Sequence, residues 1–164
     1  PTLVVAAGGI ADGRGLAAAL CLGAVGVWCG TAFLATKEAF ADVIEHRAEA
    51  EWRALVIKQK IVEATEEGTR VSRAITGKPA RLIDTPLVQA WERPDAPPTL
   101  PMPLQGALMN NLQRRVNLGK RADLATEGMG QIAGMIDEVR PAADVVAQIV
   151  EQAGQVLAAL SKND

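Results

Sequence analysis

Leu3–Thr36, LVVAAGGIADGRGLAAALCLGAVGVWCGTAFLAT, organises the chain, because it reads as two buried strands with a helix between them, each strand ending on glycine. The aliphatic runs Leu3–Ala7 and Val25–Cys29 are bounded by Ala-Gly-Gly and Gly-Thr. About ten residues of small and aliphatic helix separate them, the length that a parallel crossover needs. Asp12 is placed to cap a helix over Gly13–Leu22, since its carboxylate can accept from the first free N–H groups, and Gly23 supplies a left-handed stop. The spacing therefore predicts one β-α-β unit. Its turns, at Gly8-Gly9 and at Gly30, would present bare main-chain N–H groups at the carboxyl edge of a parallel sheet, where α/β folds take anionic ligands.

Beyond this unit the periodicity changes. Phe40, Ile44, Ala48, Trp52, Leu55 and Val62 fall near a 3.6-residue stripe with charged residues outside it, which predicts one long or two abutting amphipathic helices over Lys37–Thr65. Glu66–Thr69 ends them. Thr69–Ile83 carries β-branched residues around Gly77-Lys78-Pro79, the pattern of a short strand or extended segment with a turn. Glu92–Gly106 holds five prolines and is expected to be a stiff surface excursion. Helices are then expected over Ala107–Leu118 and Ala122–Ile136; in the second, Gly128, Gly130 and Gly134 suggest a close-lying backbone. Pro141 opens a last helix with a stripe of Val145/Val146, Ile149/Val150, Ala153, Val156/Leu157 and Leu160, and the polar tail SKND is expected to fray.

A chain of 164 residues suffices for one domain with a core. It opens on Pro1 and enters a hydrophobic strand at once, and we read it on this ground as the C-terminal half of a larger chain. A net charge of −2 predicts no affinity for nucleic acid or for an anionic membrane. The one basic cluster, Arg114, Arg115, Lys120 and Arg121, reads as a solvated helix face. Gly15–Thr36 has no charge over 22 positions, long enough to span a bilayer, but its four glycines break it into helix, turn and strand. The expected setting is cytoplasmic, with Cys21 and Cys29 as buried free thiols.

Several chemistries are excluded. The sole histidine, His46, lies in EAFADVIEHRAEAEW, far along the chain from either glycine turn, and reads as a helix-surface residue. Two separated cysteines and one remote histidine make no tetrahedral metal site. There is no G-x-S-x-G elbow, and the spacing around GRG and GKP is not that of a Walker phosphate loop. Lys78 and Arg81 in TGKPARLI either meet an anionic substrate or nicotinamide phosphate or are ordinary surface charge.

AAGGIADGRG, followed at the right distance by GVWCGTAFLAT, resembles the end of the nitronate monooxygenase (2-nitropropane dioxygenase) family, whose near relatives include the FMN-type enoyl-ACP and other enoyl thioester reductases. The resemblance runs on through ATEEGTRVSRAITGKPARLI and GQIAGMI. It implies an α/β fold, the C-terminal part of a TIM-type (β/α)8 barrel, with residues 1–36 as its last two βα units and FMN-phosphate loops. Residues 37–118 would then form a helical and extended lid or small domain, with the Pro-rich excursion at 92–106, and residues 119–164 the helices packing back on the barrel.

By that resemblance Gly9, with Gly8 beside it, makes the first contact with the FMN phosphate, and Trp28, Cys29, Gly30 and Thr31 make the second, Thr31 adding a hydroxyl. Read without it, the glycines merely turn the chain tightly. Position 28 is commonly an amide-bearing residue in these relatives; Trp28 has one donor and no amide, which leaves the family's side-chain contact open and permits Trp28 to be core. The implied activity is FMN-dependent oxidative denitrification of alkyl nitronates, such as propionate-3-nitronate, with O2. NAD(P)H-dependent reduction of an enoyl or acyl thioester of CoA or ACP is the enzymatic alternative, and a non-catalytic half-barrel or scaffold is the other. No catalytic residue is expected in this chain, the family's histidine lying on an upstream strand. The implied partners are an N-terminal barrel half, from the same gene product or a separate chain, and a small-molecule nitronate or thioester; a homodimer is compatible with this.

Overall fold

The computed structural model describes residues 2–40 and 48–161. Strand β1 (Val5–Ala7) and strand β2 (Gly26–Trp28) pair in parallel, with Val5 opposite Gly26 and Ala7 opposite Trp28. Helix α1 (Gly13–Cys21) is the crossover. The Asp12 carboxylate accepts from the N–H groups of Arg14 and Gly15, and Gly23, at φ +93°, turns the chain back into β2. The expected unit is present, with each strand shorter than its aliphatic run.

A short helix α2 (Thr31–Leu34) follows β2 directly. Helix α3 spans Ala48–Val62. Its buried face is Ala50, Ala54, Ile57 and Ile61, spaced four, three and four residues apart. This corrects the phase of the expected stripe, since Leu55 is 63% exposed. Alanine on the inner face lets the helix approach closely, whereas the large residues that set the apparent stripe partly face water. Residues 37–40 are turn rather than the expected helix, and Ile44 and His46 lie outside the described residues.

Strands β3 (Thr69–Ser72) and β4 (Ala80–Ile83) form an antiparallel hairpin, Thr69 opposite Ile83 and Ser72 opposite Ala80, whose loop uses Gly77 at φ +80°. Helix α4 (Pro86–Trp91), capped by the Thr85 hydroxyl, interrupts the region before the prolines and was not expected from the pattern. Irregular chain runs to Pro103, and helix α5 spans Leu104–Leu118. It starts three residues earlier than expected, because Pro103 occupies the cap position, where its missing N–H costs nothing.

The expected helix over Ala122–Ile136 is replaced by extended chain and a 3-10 turn at Gln131–Met135. Its backbone bonds go to the hairpin instead: the Ile83 N–H donates to the Glu127 carbonyl at 3.0 Å and the Met129 N–H to the Arg81 carbonyl at 3.2 Å. The inference of a close-lying backbone holds at Gly134, where an added β-carbon would stand 2.9 Å from the Glu66 nitrogen. Helix α6 (Ala142–Leu160) follows Pro141. It buries Val145, Ile149 and Ala153, while Val146, Val150 and Leu160 are exposed.

One core gathers Ile57 and Ile61 of α3 with Ile83, Val116, Met129 and Ala133. A second joins Ala32 of α2 with Ile132, Val145 and Ile149. The parallel pair is covered poorly: Leu3 is 76% and Val5 52% exposed. Helix α1 buries Gly13, Ala17 and Ala19, while Leu20, Cys21 and the following Leu22 are exposed, so Cys21 is not the buried thiol expected of it. No helix among the described residues is long and apolar enough to cross a membrane.

Candidate functional site

Because β1 and β2 run parallel with Ala7 beside Trp28, the turns that follow them leave the same edge of the sheet. Gly8 and Gly9 adopt φ +87° and +73°, a left-handed pair that most residues with side chains, Asn and Asp excepted, resist. Both glycines and Gly30 are exposed, and a β-carbon built on any of the three meets no atom within 4 Å. Outside the strand ladder, the N–H groups of Gly9 and Gly30 donate to no main-chain carbonyl among the described residues. Unpaired donors facing open space suit an anion with several oxygens, and such an arrangement supplies partial positive charge without a basic side chain. This geometry fits a phosphate.

The other residues named for this site divide. Trp28, at the end of β2, is 72% exposed and therefore not core. Cys29 is half-buried, and burial pushes its thiol pKa up, so it is a lining group rather than a ready thiolate. Thr31 is buried, and its hydroxyl accepts the Gly130 N–H at 2.8 Å. Asp12 is occupied as the cap of α1 and paired with Arg14, whose hydrogen bond holds the carboxyl below the usual range.

An apolar cleft of about 200 Å³ lies beneath β2, lined by Leu16, Val27, Cys29, Phe33, Val146 and Val150. Lys78 and Arg81 are separate from the glycine turns in sequence and sit on the hairpin. The Arg81 guanidinium donates to the Thr69 hydroxyl at 3.0 Å, while Lys78 is exposed at the loop. The basic cluster on and after α5 is exposed, Arg121 being paired with Asp123. Among the described residues no group of three or more His, Cys, Asp or Glu could hold a metal.

Sequence reasoning missed the reach of the C-terminal segment: Gly130 contacts Thr31, and Gln152 of α6 accepts the Gly13 N–H at 3.1 Å. Both pairs are nearly a hundred residues or more apart, and no local pattern marks them.

The family model described as nitronate monooxygenase matches residues 3–152. The chain belongs to the nitronate monooxygenase family. That family comprises flavin-dependent oxidoreductases. A curated relative, "Putative monooxygenase Rv1533" of Mycobacterium tuberculosis, is 46% identical over 158 residues, which cover 93% of this chain and 39% of that protein. A nitroalkane oxidase from Streptomyces ansochromogenes superposes with a TM-score of 0.78 at 30% identity, over 96% of this chain and 41% of that one. FabK from Thermotoga maritima superposes with a TM-score of 0.72 at 31% identity, over 100% of this chain and 48% of that one. The chain thus spans less than half the length of each, and its α/β fold is similar to theirs.

Proposed function

We propose that this chain holds the phosphate of FMN in a (β/α)8 oxidoreductase that oxidises alkyl nitronates with O2. The observation that carries this reading is the pair of open glycine turns at one edge of a parallel strand pair, with the Gly9 and Gly30 N–H groups unpartnered among the described residues. Gly8 and Gly9 take one side of the phosphate; the main chain at Trp28, Cys29, Gly30 and Thr31 takes the other. Bound flavin supplies the electron chemistry. The residues of this chain bind and orient it: unpaired N–H groups neutralise the phosphate charge, and Trp28, exposed beside the turn, is available to cover the ligand and exclude water. No side chain of this site is placed to move a proton, so the base belongs to residues that complete the barrel.

The partner in this reading is the set of strands that closes the sheet, from the same gene product or a separate chain. The poorly covered faces of β1 and β2 support it, because exposed aliphatic strands with two open edges are an aggregation liability unless other strands cover them. A second reading, reduction of an enoyl or acyl thioester of CoA or ACP by NAD(P)H, draws on the fold shared with FabK. The same phosphate turns serve both.

The test is an absorbance spectrum of the purified flavoprotein, with intact-mass measurement of every chain present. Flavin bands and a second, barrel-completing species or segment are expected. A colourless, homogeneous 17.2 kDa monomer overturns the reading. Oxygen uptake with a nitronate, set beside NADPH oxidation with an enoyl-CoA, decides between the two substrates.

A further inference from the structure

We propose that the Thr31 hydroxyl is a positioning group: it bonds Gly130 rather than phosphate, and so couples occupancy of the glycine turns to the order of the β3–β4 hairpin. The inference rests on the phosphate reading above.

Main chain and side chain diverge at this turn. Gly30 is exposed, with no atom within 4 Å of a β-carbon position, whereas the next residue, Thr31, is buried. Its hydroxyl oxygen accepts the Gly130 N–H at 2.8 Å. Gly130 needs no side-chain-free position for its backbone, since its φ is −80°, and an added β-carbon would lie 3.5 Å from the Thr31 oxygen, an ordinary contact. What this position contributes is its N–H.

Gly130 ends a strip of chain tied to the hairpin along its length. The Thr126 hydroxyl donates to the Ile83 carbonyl at 2.9 Å, and the Ile83 N–H donates to the Glu127 carbonyl at 3.0 Å. Gly128 bridges to Leu82, and the Met129 N–H donates to the Arg81 carbonyl. On the other side Arg53 of α3 donates to the Thr126 carbonyl at 2.7 Å and to the Glu127 carboxylate at 2.9 Å. The strip therefore has few ways to move except as a unit with the hairpin. An anion held by the outward N–H groups of the Gly30 turn fixes the main chain that carries the Thr31 oxygen. A fixed oxygen fixes Gly130, and with it the strip and the hairpin register. Without a hydroxyl at position 31 this hydrogen-bonded tie is gone, and apolar packing such as that of Ala32 on Ile132, which tolerates sliding, is left between turn and strip.

Amide hydrogen exchange in the assembled flavoprotein tests this, with FMN bound, with flavin removed, and with riboflavin, which lacks the phosphate. In wild type and Thr31→Ser, FMN is expected to slow exchange about tenfold or more at Ile83, Met129 and Gly130, and riboflavin is not. In Thr31→Val that slowing is lost while slowing at Gly9 and Gly30 persists. Unchanged hairpin protection in Thr31→Val, or equal protection by riboflavin and FMN, overturns the coupling. Absence of slowing at Gly9 and Gly30 in wild type with FMN overturns the phosphate reading instead. The riboflavin comparison uses wild-type protein and decides the coupling even where Thr31→Val fails to fold.

Discussion

Gly13, the first residue of α1, lies directly on Ala153 of α6: a β-carbon at Gly13 would collide with the Ala153 nitrogen and stand 2.6 Å from the Ile149 carbonyl oxygen. The two helices cross backbone to backbone here, and Gln152 accepts the Gly13 N–H beside the Asp12 cap. The last helix thereby fixes the start of α1, and so the Gly8–Asp12 loop that leads into it. Gly13→Ala is expected to destabilise the chain by about 2 kcal/mol or more, because neither backbone can relax without unpacking the other. A chemical-denaturation midpoint equal to that of wild type contradicts this contact.

A buried amide ties the Pro-rich segment to the chain after β3. Gln105 is fully buried; its Nε2 donates to the Ala74 carbonyl at 2.6 Å and its Oε1 accepts the Leu100 N–H at 3.0 Å. Gln105→Leu keeps the volume but strands both main-chain partners, and a loss of about 1–3 kcal/mol per unpaired group is expected. Limited proteolysis between Glu92 and Pro103 should quicken in the same variant, and an unchanged cleavage rate refutes the role of Gln105.

Acid sensitivity follows from the hairpin. The Arg70 guanidinium makes two hydrogen bonds to the Asp84 carboxylate, at 3.1 and 2.9 Å, and holds its pKa below the usual value. A carboxyl whose pKa is lower in the folded than in the unfolded chain contributes stability that is present above its unfolded value, about 3.9, and lost as pH falls through the folded one. Unfolding midpoints measured from pH 7 to pH 3 should therefore fall at the acid end in wild type and less steeply in Asp84→Asn. An equal acid slope in the two proteins contradicts the pairing.

The two thiols should separate by reactivity. Cys21 is exposed at the end of α1, whereas Cys29 is half-buried with its thiol pushed up by burial. Near neutral pH one equivalent of a thiol reagent is expected to react quickly and the second slowly, becoming fast on denaturation; Cys21→Ser should remove the fast phase. Two equal phases contradict the burial of Cys29.

The parts of this fold that were legible in the sequence are those decided by neighbours in the chain. The Asp12 cap, the Gly23 reversal, the glycine turn that ends each parallel strand and the turn at Gly77 are set within a few residues of themselves. The illegible parts depend on remote partners. Ala122–Ile136 has helical periodicity, yet its backbone bonds go to the hairpin edge, and glycine at 128, 130 and 134 makes helix the costlier choice there. The inner face of α3 was misphased because small alanines, not the conspicuous Leu55, pack inward. At the candidate site the exposed glycines were readable from their place after each strand. The inward turn of the Thr31 hydroxyl was not, since Gly130 lies 99 residues away.

Flavin retention by Gly9→Asp, read from the visible absorbance of the purified flavoprotein and set beside Gly9→Asn, decides whether the Gly9 turn holds a phosphate. Both side chains tolerate the left-handed conformation of Gly9, at φ +73°, and both enter space empty within 4 Å, so they differ chiefly in charge. If the Gly9 turn grips a phosphate, the aspartate variant folds with an unfolding midpoint close to that of the asparagine variant but elutes colourless, while the asparagine variant keeps more flavin. An aspartate variant as yellow as wild type contradicts the account and leaves the Gly8-Gly9 turn as a turn alone.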